Sequence, residues 1–153
     1  MLHDAPLADL LFTCPPYGDL EVYSDDKRDL SAMTWPQFVR VYREIVLRST
    51  DRLRDNSWAC VVVGNYRSKG DDALRDLVGT TVAAFEACGL EYHNEAVLVT
   101  PVGTARMRAS AQFDVKRKLC RTHQTMLTFV KGDARKATQR VLDSETIDNG
   151  VFA

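Results

Sequence analysis

A chain of 153 residues, of which 45% are hydrophobic and 27% charged, is long enough to bury the core of one α/β or α+β domain. Its 20 Lys and Arg residues nearly balance its 21 Asp and Glu residues, which gives a formal net charge of -1. This charge excludes a general attraction to nucleic acid, so any such contact must come from local clusters of basic residues. The four cysteines lack metal-type spacing, and no segment is typical of a signal peptide or a membrane span, which predicts a reduced, cytoplasmic chain without a metal.

The first predicted element is a strand that ends at a pair of prolines. Residues 7–13 form a short, nearly continuous apolar run, which is typical of a strand buried in a parallel sheet. Pro15 and Pro16 end this strand and open a loop. Residues 18–31 are rich in acids and poor in large apolar side chains, so we expect them to be solvated.

A helix and a second strand follow this loop. Thr34 can cap a helix, Pro36 suits its first turn, and the next apolar residues recur at helical spacing, which predicts a helix over about 35–54. The apolar, β-branched run at 57–64 predicts a second buried strand.

The second half of the chain predicts another helix and two more strands. Asp71 or Asp72 begins a predicted helix that ends near residue 88. Residues 95–100 and 124–130 are predicted strands, and the basic stretch between them shows neither helical nor strand periodicity. The polar C-terminal tail is expected to be a short helix or disordered.

This order of elements indicates an α/β fold in which parallel strands are finished by a C-terminal antiparallel pair. It corresponds to the second half of a Rossmann-like sheet, because a complete sheet would need further strands beside the first one. We expect one partial domain over 1–138 and a polar tail over 139–153.

The most informative segment is Phe-Thr-Cys-Pro-Pro-Tyr-Gly-Asp at 12–19, directly after the first predicted strand. It resembles the catalytic motif of S-adenosylmethionine-dependent DNA amino-methyltransferases, in which a small polar residue precedes Pro-Pro and an aromatic residue. The resemblance implies that Cys14 and the carbonyl of Pro15 accept hydrogen bonds from the amino group of a target base, with Pro16 rigidifying the backbone. Tyr17 would stack on a base flipped out of the duplex.

The sequence departs from the family at one catalytic position. Cys14 replaces the commoner Asp, Asn or Ser, and a thiol is a weaker hydrogen-bond acceptor. Nucleophilic cysteine chemistry at cytosine C5 is disfavoured because that family has the order Pro-Cys. The motif could also be only a rigid turn after a strand, but the segments 58–66 and 117–132 resemble the same family in the same order, so that the resemblance covers about 7–138.

A basic stretch lies between the last two predicted strands. In the related enzymes a loop there approaches DNA, so the resemblance implies phosphate contacts, and a solvated charged loop is the alternative. His123 is more plausible as a structural residue than as a general base, since the methylated amine can lose its proton to water. The proposed DNA-binding residues are Arg106, Arg108, Lys116, Arg117, Lys118 and Arg121.

The cofactor-binding motif of this superfamily is missing from the sequence. Its Gly-x-Gly turn does not occur among the eight glycines. We therefore expect that the half that binds S-adenosylmethionine was lost or lies on another chain, and that the isolated chain binds this cofactor weakly or not at all. The first strand would then have an unpaired edge, which favours a homodimer or association with a separate cofactor-binding half.

Three functions remain open on the sequence alone. The first is a DNA methyltransferase that transfers a methyl group to N6 of adenine or N4 of cytosine. The second is a non-catalytic methyltransferase remnant, or a subunit that binds DNA or a partner protein. The third keeps the enzyme class with RNA or a protein glutamine as substrate, but related enzymes of that kind have Asn where this chain has Cys14.

Overall fold

The computed structural model describes residues 5–99, 109 and 112–148, with side chains as far as 144. Short 3-10 turns lie at Gly18–Leu20 and Leu30–Ala32. The helices and strands whose two ends both lie in the described ranges are β1 (Ala8–Thr13), α1 (Trp35–Asp51), β2 (Leu53–Val63), β3 (Tyr66–Arg67), β4 (Leu74–Arg75), α2 (Leu77–Ala87), β5 (Glu91–Val99), β6 (His123–Lys131) and α3 (Ala134–Asp148).

Four of these strands form one mixed sheet in the order β1-β2-β6-β5. β1 runs parallel to β2, whereas β6 is antiparallel to both β2 and β5. β3 and β4 form a separate two-stranded hairpin. The predicted α/β class with parallel strands and a C-terminal antiparallel pair is therefore confirmed, and β6 rather than β5 lies next to β2.

The α1 helix begins where the sequence predicts it. The side-chain oxygen of Gln37 accepts a hydrogen bond from the backbone N–H of Thr34 at 3.0 Å, which satisfies one of the unpaired donors at the helix start. The predicted end at 54 is three residues too late, because Arg52 ends the helix and Leu53 already begins β2. β2 is therefore longer than the strand predicted at 57–64.

The second helix begins later than predicted. Asp71 caps a turn, accepting from the backbone N–H of Ala73, and the chain then forms β4 before α2 begins at Leu77. Asp76 caps the helix by accepting from the N–H of Gly79 at 3.0 Å. The start predicted at Asp71 or Asp72 was wrong because the caps at 71 and 76 look alike in sequence.

Two elements in the second half of the chain, β5 and α3, extend beyond their predicted limits. β5 begins at Glu91, four residues before the predicted strand at 95–100. Of the two alternatives for the tail, the structure has a helix, and α3 runs through the domain boundary expected after 138. None of the helices in the described ranges is both long enough and apolar enough to cross a membrane.

The core lies between one face of the sheet and the helices α1 and α2. Phe85 stacks on Phe129 of β6 with ring centroids 4.4 Å apart, and both rings are almost fully buried. Phe38 stacks on Tyr42 within α1. The largest buried apolar side chains of this core are Phe38, Leu53, Val61, Val63, Leu77, Phe85, Leu127 and Phe129.

The expectation that the first strand is buried was wrong. Leu10 is 53% exposed and Phe12 is 64% exposed, although Leu11 packs against the core. The reason is the position of β1, which among the described strands pairs with β2 alone and therefore forms an edge of the sheet, as expected for half of a doubly wound fold. The sequence of β1 is apolar on both faces of the strand, but the core covers only the face that carries Leu11.

Tyr42 provides a test of this core at alkaline pH. Burial raises the pKa of Tyr42 from 10.0 to about 12. In the unfolded chain the phenol ionises near 10, so its contribution to stability is complete below pH 10 and is lost as the pH rises towards 12. We expect the free energy of unfolding to fall by up to about 1.4 kcal/mol per pH unit in that interval. Urea titrations at each pH measure this slope.

Tyr42→Phe is the matched variant, because phenylalanine keeps the ring but cannot ionise. At neutral pH it should cost about 1 kcal/mol, since the hydroxyl lies 3.1 Å from Oγ1 of Thr81 within the core. Above pH 10 its stability should fall less steeply than that of the wild type. Equal slopes in the two proteins would show that Tyr42 ionises freely in the folded state.

Candidate functional site

Two loops meet at one edge of the sheet because β1 and β2 are parallel. The Cys14–Tyr17 turn follows the end of β1, and Gly64 follows the end of β2. A Cβ added at Gly64 would lie 3.6 Å from Cε1 of Tyr17, so the two loops are in direct contact. Carboxyl ends of parallel strands are the usual position of a site in α/β folds.

The Tyr17 ring is held at both of its ends. Its hydroxyl accepts a hydrogen bond from Nε2 of Gln124, in β6, at 2.6 Å. Its ring meets that of Tyr66 edge to face, with centroids 6.2 Å apart and an interplanar angle of 78°. Burial is the main cause that raises the pKa of Tyr17 above its ordinary value, so the phenol is neutral at physiological pH. The ring therefore has a defined orientation.

The other three motif residues differ in their surroundings. Cys14 is exposed, whereas Pro15 is buried and Pro16 is half-buried. No hydrogen bond among the described residues uses the carbonyl oxygen of Pro15. Cys14 and Pro16 line a shallow cavity of about 400 Å³ together with Tyr23, Asp29 and Leu30.

The structure does not gather all four motif residues around one described cavity. Tyr17 is absent from the lining of the cavity beside Cys14 and instead contacts Gly64, Tyr66 and Gln124. Cys14 and Tyr17 therefore do not share this cavity.

Asp19 ties the turn to the β3–β4 hairpin. Its Oδ2 accepts hydrogen bonds from the hydroxyl of Ser68 at 2.7 Å and from the backbone N–H of Lys69 at 2.8 Å. A third, longer bond comes from the N–H of Gly70 at 3.4 Å. Hydrogen bonds to a carboxylate are stronger than those to a neutral acceptor, so Asp19 fixes two loops that are 49 to 51 residues apart in sequence.

Four of the six proposed DNA-binding residues line one cleft of about 740 Å³, and they are Lys116, Lys118, Arg117 and Arg121. Arg121 donates to the backbone oxygen of Asn65 at 2.8 Å, which places this wall of the cleft beside Gly64. Lys118 forms an ion pair with Asp72. Arg106 and Arg108 lie outside the described residues.

Asn65 and Gln124 contact residues of the candidate site and were not singled out in the sequence analysis. Asn65 accepts from the backbone N–H of Val78 and so joins the site to the start of α2. Gln124 is 107 residues from Tyr17, its hydrogen-bond partner, and no local pattern could indicate that contact. His123 is exposed at the start of β6.

Among its described lining residues, the cavity beside Cys14 has no carboxylate that is free of hydrogen bonds for the ribose of S-adenosylmethionine. The cavity beside Cys14 contains one carboxylate, Asp29, and both of its oxygens already accept from neighbouring residues, Oδ1 from Ser31 and Oδ2 from Ser24. A ribose hydroxyl in this cavity would therefore share the Asp29 carboxylate with these two serines. Within the described ranges, no cluster of three His, Cys, Asp or Glu side chains could hold a metal ion.

The fold is that of known DNA methyltransferases. The PvuII cytosine-N4-specific DNA methyltransferase matches with a TM-score of 0.60 and 16% identity over 85% of this chain and 45% of that chain. A candidate DNA modification methylase from Thermus thermophilus, complexed with S-adenosyl-L-methionine, matches with a TM-score of 0.58 and 13% identity over 86% of this chain and 49% of that chain. The M1.HpyAVI–SAM complex matches with a TM-score of 0.51 and 13% identity over 84% of this chain and 45% of that chain.

This chain spans about half the length of the solved structures that it matches. No protein-family model matches the sequence, and no curated protein matches it. At such low identity the likeness shows the fold, here the partial Rossmann-like methyltransferase sheet that the sequence predicts.

Asp19→Ala tests the link between the two loops. The variant loses the hydrogen bonds to Ser68, Lys69 and Gly70, and we expect the free energy of unfolding to fall by about 1–3 kcal/mol. The freed hairpin should also be cut faster by trypsin after Lys69. Mass spectrometry of timed digests measures this rate.

Asp25→Ala is the matched control for this variant. Asp25 is exposed in the same loop and makes no hydrogen bond among the described residues. It should digest like the wild type. Equal cleavage rates after Lys69 in all three proteins would mean that Asp19 does not hold the hairpin.

Proposed function

We propose that this chain is the base-accepting part of an S-adenosylmethionine-dependent DNA methyltransferase that acts on N6 of adenine or N4 of cytosine. One observation carries the proposal: the Cys-Pro-Pro-Tyr turn lies at the carboxyl edge of the sheet, with Tyr17 fixed beside a strongly basic cleft. The fold shared with DNA methyltransferases supports the same conclusion.

The turn offers acceptors for the reacting amino group. The lone pair of an exocyclic amine is delocalised into the base, so the nitrogen is a poor nucleophile until its hydrogens are held out of the ring plane. In this proposal the carbonyl of Pro15 accepts a hydrogen bond from one N–H of the amino group, and the exposed thiol of Cys14 accepts one from the other N–H. The Pro15 carbonyl accepts no hydrogen bond within the described residues. Tyr17 stacks on the extrahelical base and fixes its plane.

S-adenosylmethionine would supply the methyl group when bound to residues other than those described here. The matched structures are about twice as long as this chain, and two of them contain the cofactor. β1 has an open edge with Leu10 and Phe12 exposed, where a complementary half could continue the sheet. The proposed partners are thus DNA and a cofactor-binding half, and the partial catalytic domain over 1–138 remains part of this proposal.

Tyr17→Ala tests the stacking role. Base-aromatic stacking contributes about 1–3 kcal/mol, so the variant should lose about 5- to 150-fold in affinity for a duplex with one unpaired adenine or cytosine. Its affinity for the fully paired duplex should change little. Fluorescence anisotropy with the two labelled duplexes measures the ratio of the two affinities.

Tyr17→Phe is the matched control, because it keeps the ring and loses only the hydrogen bond from Gln124. It should retain the preference for the unpaired base. Thermal unfolding by circular dichroism checks that both variants are folded. A wild type that does not prefer the unpaired base, or a Tyr17→Ala variant that keeps that preference, would contradict the proposal.

The cofactor part of the proposal has its own test. We expect calorimetric titration of this chain with S-adenosylmethionine to show weak binding or none, because the Gly-x-Gly turn of the cofactor motif does not occur in the sequence. Micromolar binding, or methyl transfer to DNA by this chain alone, would refute the absence of a cofactor site and leave the base-accepting role intact.

A further inference from the structure

We propose that the β3–β4 hairpin is a second phosphate-binding wall, in which Arg67 and Lys69 bind the sugar-phosphate backbone of DNA opposite the 116–121 segment. This inference rests on the proposed function and extends it, because the sequence indicated only one wall. The observation behind it is that residues of both segments line the same cleft of about 740 Å³.

The charge of the cleft is strongly unbalanced. Among the described residues, six basic side chains and one acidic side chain line it, although the whole chain has a net charge of -1. Phosphate groups are the anions that such a cluster attracts in nucleic acids. The basic residues are Arg67 and Lys69 on one wall and Lys116, Arg117, Lys118 and Arg121 on the other.

Asp72, the acid among the described lining residues, does not neutralise the cleft. Asp72 pairs with Lys118, and this contact is the largest cause that lowers the pKa of the Asp72 carboxyl, followed among its charged neighbours by Arg67 and Lys116. It therefore remains ionised at neutral pH and compensates a single cation. Within the described residues, Lys69 forms no ion pair, so its ammonium group is available to a phosphate.

The hairpin wall is ordered before any ligand binds. Asp19 accepts from the backbone N–H of Lys69, and the guanidinium of Arg67 donates to the backbone oxygen of Asp72 at 2.9 Å. Both side chains are nevertheless exposed. A binding surface whose backbone is already fixed loses less conformational entropy when the ligand is bound.

The cleft is close enough to the Cys14–Tyr17 turn to serve the same nucleotide strand. Arg121 lines the cleft and donates a hydrogen bond to the backbone oxygen of Asn65. A Cβ added at Gly64 would lie 3.6 Å from Nη1 of Arg121 and 3.6 Å from Cε1 of Tyr17, so Gly64 separates the cleft from the turn. Backbone phosphates held between the walls would therefore lie next to the residue proposed to stack on the target base. Basic residues on both walls suit a polyanion rather than a single phosphate ion.

Lys69→Gln is the decisive variant, because it removes the charge and keeps the backbone N–H that binds Asp19. We expect weaker binding of the full chain to duplex DNA, and a plot of log affinity against log salt concentration whose slope is smaller by about 0.9 in magnitude, as for one lost phosphate contact. The double variant Arg67→Gln/Lys69→Gln should lose about twice as much slope. Fluorescence anisotropy at several salt concentrations measures both quantities.

Lys136→Gln is the matched control, since Lys136 is an exposed lysine of α3 that does not line the cleft. Its affinity and slope should equal those of the wild type. If Lys116→Gln/Arg117→Gln weakens binding and Lys69→Gln does not, the hairpin wall is refuted and the proposed function stands. If the wild type does not bind DNA at low salt, both are refuted.

Discussion

The parallel pairing of β1 with β2 is the constraint on which the site depends. Its register places Thr13 opposite Val61, so the loops that follow β1 and β2 leave the sheet side by side and in the same direction. Every contact between the two loops follows from this arrangement, from Tyr17 against Gly64 to Asp19 on the hairpin. A slip of one residue would turn each side chain of β1 to the opposite face and move its loop away from that of β2.

The sequence predicts the start of an element well where its local signals agree. The start of α1 is correct because Thr34 and Pro36 both mark a helix start. The start of α2 is wrong because Asp71 and Asp76 can each cap a turn or a helix, and only the pairing of β3 with β4 decides between them. Apolarity predicts that β1 belongs in a sheet, but it cannot show that one face of an edge strand stays exposed.

The candidate site also has parts that the sequence predicts and parts that it does not. The turn at Cys14–Tyr17 and the basic 116–121 segment are visible in the sequence because each is contiguous. The hydrogen bonds of Gln124, Asp19 and Lys69 are not, because each joins residues that lie far apart along the chain. The site therefore consists of two recognisable segments and a set of long-range hydrogen bonds that hold them in register.

Gly18 has a consequence for how the turn tolerates sequence change. Its φ is +52°, and a Cβ at this position would lie 2.0 Å from the hydroxyl of the buried Tyr66. Both the backbone conformation and the space exclude a side chain, whatever its polarity. In a randomised library the codon for Gly18 should consequently be almost invariant, while positions a few residues further along the acidic loop vary freely, and only a smaller residue at 66 would relieve the collision.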